Sequence, residues 1–156
     1  MNKNLLIIPL LVATLVLIFP FVAFYGDNIM VTTTTSMLPA LKPNDLIVVE
    51  NSTIDQIKEG DIIAFDSHME MGIIAHRAIE VFEEDGQTKI NTKGDNNEKP
   101  DSWHVTDNDL IGKVKNIIPV FGILLVGPVR YALVAVIIIS AISMMKDYIT
   151  ENKKKD

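Results

Sequence analysis

Residues 46–65, LIVVENSTIDQIKEGDIIAF, set the architecture. Leu46–Glu50 and Ile62–Phe65 are short apolar runs rich in Ile and Val. Such side chains fit a pleated surface, and a short continuous apolar run bounded by polar residues reads as a buried strand. Ile54–Asp61 between them reads as a short helical turn or loop. Downstream, Gly72–Val81 (GIIAHRAIEV) is a third strand, and Glu83-Glu84-Asp85-Gly86-Gln87 has the composition of a hairpin turn into Thr88–Thr92. Gly94-Asp95-Asn96-Asn97 is a further turn, and Leu110–Val114 a further strand leading to Ile117. Upstream, Leu41–Asp45 carries turn chemistry. Thr32–Thr35 is a β-branched run that enters Ser36-Met37-Leu38-Pro39 in extended form, since the residue before a proline is also pushed extended. Short strands separated by turns predict a mainly β fold, a small antiparallel β-domain.

Apolar blocks flank that domain. Residues 5–25 carry no charge, and a bilayer core needs roughly 20 apolar residues as helix. Residues 131–145 are also uncharged and read as a second span starting near Pro128. Ile117–Val129 is uncharged too but holds two glycines and two prolines, and residues 117–127 fit a strand or an apolar surface at the bilayer better than a helix. The predicted organisation is a transmembrane signal-anchor at 1–25, an extracytoplasmic β-rich domain at 26–127 with 117–127 against the membrane, a transmembrane helix at 128–147 and a basic tail at 148–156. Tyr25-Gly26-Asp27 offers no clear small-residue cleavage site, so the first block is expected to stay as an anchor.

Charge orients the chain and excludes some functions. Of 156 residues, 48% are hydrophobic and 22% charged, which fits apolar blocks on a polar domain. From Gly26 to Lys115 there are 17 Asp and Glu against 8 Lys and Arg, so nucleic acid is not an expected partner. The basic residues near the spans, Lys3, Lys146 and Lys153–Lys155, sit at the ends and predict that both termini are cytoplasmic. The chain has no cysteine, which removes disulfides, thiol chemistry and thiolate metal sites. Its three histidines, His68, His76 and His104, show no metal-binding spacing, and no cofactor is expected.

Candidate chemistry begins with Ser36. A serine ahead of a proline is commonly just a turn residue, and a hydroxyl becomes a nucleophile only beside a base. Ser36 stands about ten residues beyond an apolar block, in a segment poor in other reactive groups. His76 lies on an otherwise apolar strand, where a histidine is more often a satisfied core residue. Imidazole nevertheless suits general-base work near neutrality. His68 and His104 sit in polar stretches and read as surface residues. A carboxylate would be needed to orient the base, and both Asp95 and Asp101 are candidates. Spacing does not separate them, and each also reads as an ordinary turn or loop acid.

Three blocks then combine: Thr35-Ser36-Met37-Leu38-Pro39, Ala75-His76-Arg77 and Thr92-Lys93-Gly94-Asp95-Asn96-Asn97. In this order the chain resembles the type I signal peptidases, specifically their archaeal and endoplasmic-reticulum branch. The resemblance runs from the first apolar block to about Pro119. It implies that Ser36 attacks the scissile carbonyl and that His76, where bacterial members use lysine, removes the proton. Asp101 matches the aspartate that completes the group, and Asp95 matches a second aspartate that shapes the site. Pro100 before Asp101 departs from the paired aspartates often found there, which leaves the carboxylate partner of His76 open. The Ser36 N–H and the Thr34 hydroxyl are the implied oxyanion donors. Implied partners are secretory precursors bearing signal peptides, the lipid bilayer and other subunits of a processing complex. The short acidic chain favours the archaeal plasma membrane, with the endoplasmic reticulum as the alternative, and the site faces the extracytoplasmic or lumenal side. A LexA-like self-cleaving protease would share the fold, but uses a lysine base and is soluble. A catalytically inactive membrane-anchored homologue that acts as a binding subunit is the other alternative.

Overall fold

A computed structural model describes residues 3–67 and 72–152. His68 and Lys153–Lys155 therefore lie outside the described residues. The chain divides into two compact units, one of residues 24–122 and one of residues 1–23 with 123–156.

The first unit is one seven-stranded sheet with every pairing antiparallel. Its strands are β1 (Asn28–Val31), β2 (Leu46–Glu50), β3 (Ile62–Asp66), β4 (Ile73–Glu84), β5 (Gln87–Lys93), β6 (His104–Val105) and β7 (Leu110–Ile118). The spatial order is β1-β2-β7-β3-β4-β5-β6. The long β7 inserts between β2 and β3, so the two apolar strands that define the sequence pattern are not neighbours. Both faces of the sheet are covered. Ile63, Phe65, Ala78, Ile90 and Val105 pack with Ile54 and Ile57 on one side. Ile47, Val49 and Ala64 pack with Met37 and Leu41 on the other. Two-sided burial explains why β2 and β3 read as continuous apolar runs rather than alternating ones.

Local sequence accounts for the connections. Asp85 and Gly86 both have positive φ, 54° and 74°, and join Glu84 to its partner Gln87. A two-residue hairpin turn of this hand needs positive φ at both positions, which Asp-Gly tolerates. Between β2 and β3, Ile54–Gln56 forms a single 3-10 turn behind the Thr53 cap. The Thr32–Thr35 run is not a strand. β1 ends at Val31, and Thr32 instead exchanges backbone hydrogen bonds with Asn44 and Asp45, opening the loop that carries Ser36. β1 and the two-residue β6 have no strong signal of their own in the sequence.

Residues 117–127, expected as a strand or an apolar surface at the bilayer, are strand only at their start. Ile117 and Ile118 end β7, and Phe121–Leu124 is a 3-10 turn. The buried Asp45 carboxylate accepts hydrogen bonds from the Lys42 and Val120 N–H groups and pins this exit to the Leu41–Asp45 turn. A Cβ on Gly122 would stand 2.5 Å from Val31 Cγ1 and 2.7 Å from the Asn44 carbonyl oxygen, so only glycine fits there.

The second unit pairs α1 (Lys3–Ala23) with α2 (Gly127–Asn152). Within α2, Gly127–Thr150 is long and apolar enough to cross a bilayer, with mean hydropathy 1.9 over the best window. Only 6% of that window is buried, unlike the core helix of a soluble protein. The apolar part of α1, Ile7–Ala23, is a shorter helix that does not by itself meet the length of a span. Among the described residues, Pro20, Ala13 and Ser140 are the buried positions of the pair, and small residues such as Ala13 and Ser140 let two helices approach closely.

Candidate active site

His76 is the fourth residue of β4, opposite Ile63 of β3. Side chains alternate along a strand, so His76 and Ala78 point to one face and Arg77 to the other. The imidazole is buried, with its ring edge-on to Phe65 at 6.4 Å between centroids. A buried imidazole needs partners on both nitrogens, and it has them. Nδ1 lies 2.7 Å from Asp101 Oδ2, and Nε2 lies 3.1 Å from Ser36 Oγ. An ionised carboxylate only accepts. Asp101 therefore places the imidazole proton on Nδ1 and leaves Nε2 to accept from the Ser36 hydroxyl.

Ser36 sits at the start of the turn that follows Thr35, half-buried and reachable from solvent. The Thr34 hydroxyl is 3.2 Å from Ser36 Oγ. The turn after β5 fixes the serine backbone. Asn96 N–H donates to the Ser36 carbonyl at 2.7 Å, and Asn96 Nδ2 to the Thr35 carbonyl at 3.3 Å. Gly94 is required by closeness rather than by φ, because a Cβ there would lie 2.7 Å from the Ser36 carbonyl oxygen.

The two candidate aspartates occupy different places. Asp101 meets His76, with only 6–7% of either side chain exposed. Asp95 instead takes both Arg77 Nε, at 2.8 Å, and Nη2, at 2.6 Å, while Arg77 Nη1 donates to the Gly60 carbonyl. The Asp95 hydrogen bond and charge hold the Arg77 guanidinium above its ordinary value, against some loss of solvation. Asp95 is thus a fastening of the 94–97 turn and does not face the imidazole.

Thr92 was not singled out by sequence reasoning. Its side chain is fully buried, its hydroxyl donates to Asp101 Oδ2 at 2.6 Å, and its carbonyl accepts the Asp101 N–H at 2.9 Å. The available signal was a hydroxyl residue in phase with Ile90 on the buried face of β5. His104 is exposed on β6, where its ring meets Asn91 and Phe82 instead of the row. Among the described residues, no three His, Cys, Asp or Glu gather as a metal site would require.

A cleft of about 570 Å³ opens over the row. Met30, Leu41, Ile47, Ile74 and Trp103 give it an apolar floor and walls, and Thr32–Thr34 bring backbone and hydroxyl groups to its edge. A hydroxyl, an imidazole and a carboxylate in series beside such a cleft form the arrangement by which a weak hydroxyl becomes a nucleophile toward a carbonyl.

The comparisons with known proteins point the same way. No protein-family model matches the chain. The signal peptidase complex catalytic subunit SEC11C of rat, and that of human, are each 34% identical to it over 122 residues, covering 69% of this chain and 63% of theirs. The signal peptidase complex catalytic subunit sec11 of Dictyostelium discoideum is 31% identical over 125 residues, covering 72% of this chain and 69% of its own. The sequence likeness places the chain with the signal peptidases. The chain belongs to the SEC11 family, the archaeal and endoplasmic-reticulum branch of signal peptidase I. It spans about 63% of the length of the SEC11C proteins it matches.

Proposed function

We propose that this chain is a membrane-anchored serine endopeptidase that removes signal peptides from secretory precursors. The observation that carries the reading is the unbroken row from Ser36 Oγ through His76 to Asp101, with contacts of 3.1 and 2.7 Å. His76 Nε2 takes the Ser36 proton as Oγ attacks the scissile carbonyl. The imidazolium so formed is held by Asp101 and then returns the proton to the leaving amine, the new N-terminus of the mature chain. This leaves the signal peptide as an acyl-enzyme on Ser36. Water activated by the same imidazole then releases it. The Ser36 N–H is the first oxyanion donor and the Thr34 hydroxyl the second. The substrate lies extended in the cleft, adding backbone hydrogen bonds along its edge.

α2 supports attachment to a membrane, and α1 serves as the second anchor, with both termini cytoplasmic and the sheet domain on the far side. The relatives' names support work within a signal peptidase complex. Those relatives are eukaryotic and give no support to an archaeal membrane. An inactive homologue has no support either, because the row is intact.

The test uses the full chain in detergent micelles with a precursor peptide, and mass spectrometry to locate the cut. Ser36→Ala and His76→Ala are each expected to abolish cleavage. His76→Lys is expected to retain little activity, because the amine would not reach Ser36 with the same geometry. Normal cleavage by Ser36→Ala or His76→Ala would overturn the mechanism.

A further inference from the structure

Asp101 stands outside the regular strands, eight residues after β5 ends and directly after Pro100. A carboxylate on a loop is free at two side-chain torsions, and one hydrogen bond to an imidazole does not fix both. The second bond comes from Thr92. Its hydroxyl and His76 Nδ1 converge on the same oxygen, Asp101 Oδ2, at 2.6 and 2.7 Å. The Asp101 backbone is tied to the same residue, N–H to the Thr92 carbonyl. Thr92 itself is rigid. It belongs to β5, pairs with Ala78 of β4 two residues beyond His76, and has no exposed surface. Its β-branched side chain is stiff at χ1.

We infer that Thr92 is a positioning residue of the active site, aiming the Asp101 carboxylate at His76 Nδ1 from a fixed strand. The inference rests on the peptidase reading, which makes Asp101 the partner of the base. The competing account is that a buried threonine hydroxyl merely finds an acceptor. On that account removing the hydroxyl would leave the imidazole undisturbed.

Two substitutions separate packing from positioning. Thr92→Val keeps the β-branched shape and loses the hydroxyl. Thr92→Ser keeps the hydroxyl and loses a methyl group. If Thr92 aims Asp101, Thr92→Val lowers kcat by roughly 10- to 100-fold, the scale on which misplacing a catalytic group is felt, with KM and Tm near those of the wild type. Thr92→Ser restores kcat although its Tm is lower. A purely structural role gives the opposite pattern, with the effect following Tm. A second readout needs no turnover. The downfield proton resonance of the His76 Nδ1–H, identified by its loss in His76→Ala, should move or broaden in Thr92→Val and return in Thr92→Ser. An unchanged resonance together with wild-type kcat in Thr92→Val overturns the proposal. Failure of the wild-type chain to cleave would count against the peptidase reading, whereas the resonance would still decide the role of Thr92.

Discussion

Replacing Asp101 with asparagine isolates what its charge contributes. Both donors to this side chain, His76 Nδ1 and Thr92 Oγ1, point at the single oxygen Oδ2. An amide oxygen in that place accepts from the same two donors. The imidazole then keeps its tautomer and its direction toward Ser36, and only the negative charge is lost. The pair is buried to within 6–7% of exposure. At an effective dielectric of about 20 and charge centres about 4 Å apart, the carboxylate stabilises an imidazolium by about 4 kcal/mol. At 1.36 kcal/mol per decade, that is about a 10³-fold fall in kcat. Asp101→Ala removes the orienting acceptor as well and should fall further. Single-turnover cleavage of a precursor peptide by the full chain in micelles reads the chemical step directly, and KM should stay near the wild-type value in Asp101→Asn. Cleavage by folded Asp101→Asn within about tenfold of wild type would refute this role, because the charge would then contribute no more than about 1.4 kcal/mol to the transition state.

Other perturbations test the supports of the site. Gly94→Ala places a Cβ 2.7 Å from the Ser36 carbonyl oxygen. The turn must shift, and peptide cleavage should drop by roughly 10²-fold through a displaced nucleophile. Arg77→Lys breaks the two-pronged contact with Asp95. The partly exposed pair should be worth about 1 kcal/mol, read as a fall in Tm of about 4–8 °C for a domain of this size. Asp61 gives a pH dependence. Burial pushes its carboxyl up, but the hydrogen bond and charge of Lys113, with the Lys58 N–H, leave it below the ordinary aspartate value on balance. The folded value is below the unfolded one, so its stabilisation is full above the unfolded value and is lost as pH falls through the folded one. In acid unfolding followed by circular dichroism, Asp61→Asn should therefore flatten the stability loss below about pH 4.

Much of the domain was legible because its strands are simple. Leu46–Glu50 appears as read, and Ile62–Asp66 extends the expected strand by one residue. The Asp85-Gly86 hairpin carries its own turn chemistry. β1 and β6 were not legible. Asn28–Val31 has a polar start and lies beside the more β-branched Thr32–Thr35, whose first residue is diverted into backbone bonds with Asn44 and Asp45. His104–Val105 is a strand only because β5 offers it an edge, at Ile90 and Asn91. The order of strands was hidden as well, since β7 pairs with two strands far from it in sequence. At the site, Ser36 and His76 were visible through their motifs. Spacing did not separate Asp95 from Asp101, because both are loop acids within a few residues of each other; the family resemblance favoured Asp101, and the fold shows that carboxylate turned toward His76.

The same geometry explains why His-Arg and Gly-Asp-Asn-Asn occur together. Strand alternation makes neighbours on β4 face opposite ways. His76 therefore reaches Ser36 while Arg77, one residue on, reaches Asp95 on the other side. Asp95 holds the turn whose next residue, Asn96, grips the Ser36 and Thr35 carbonyls. In a trans peptide the carbonyl and the following N–H point in opposite directions. Holding the Thr35 carbonyl from the Asn96 side consequently turns the Ser36 N–H away from that turn. A single strand thus sets His76 with one side chain and, through the next, the loop that fixes Ser36. The separation of His76 from Ser36 is set by β4 and the turn it anchors. That is the physical reason the dipeptide and the turn must be read as one motif, and it makes Arg77 and Asp95 part of the site without either touching the imidazole.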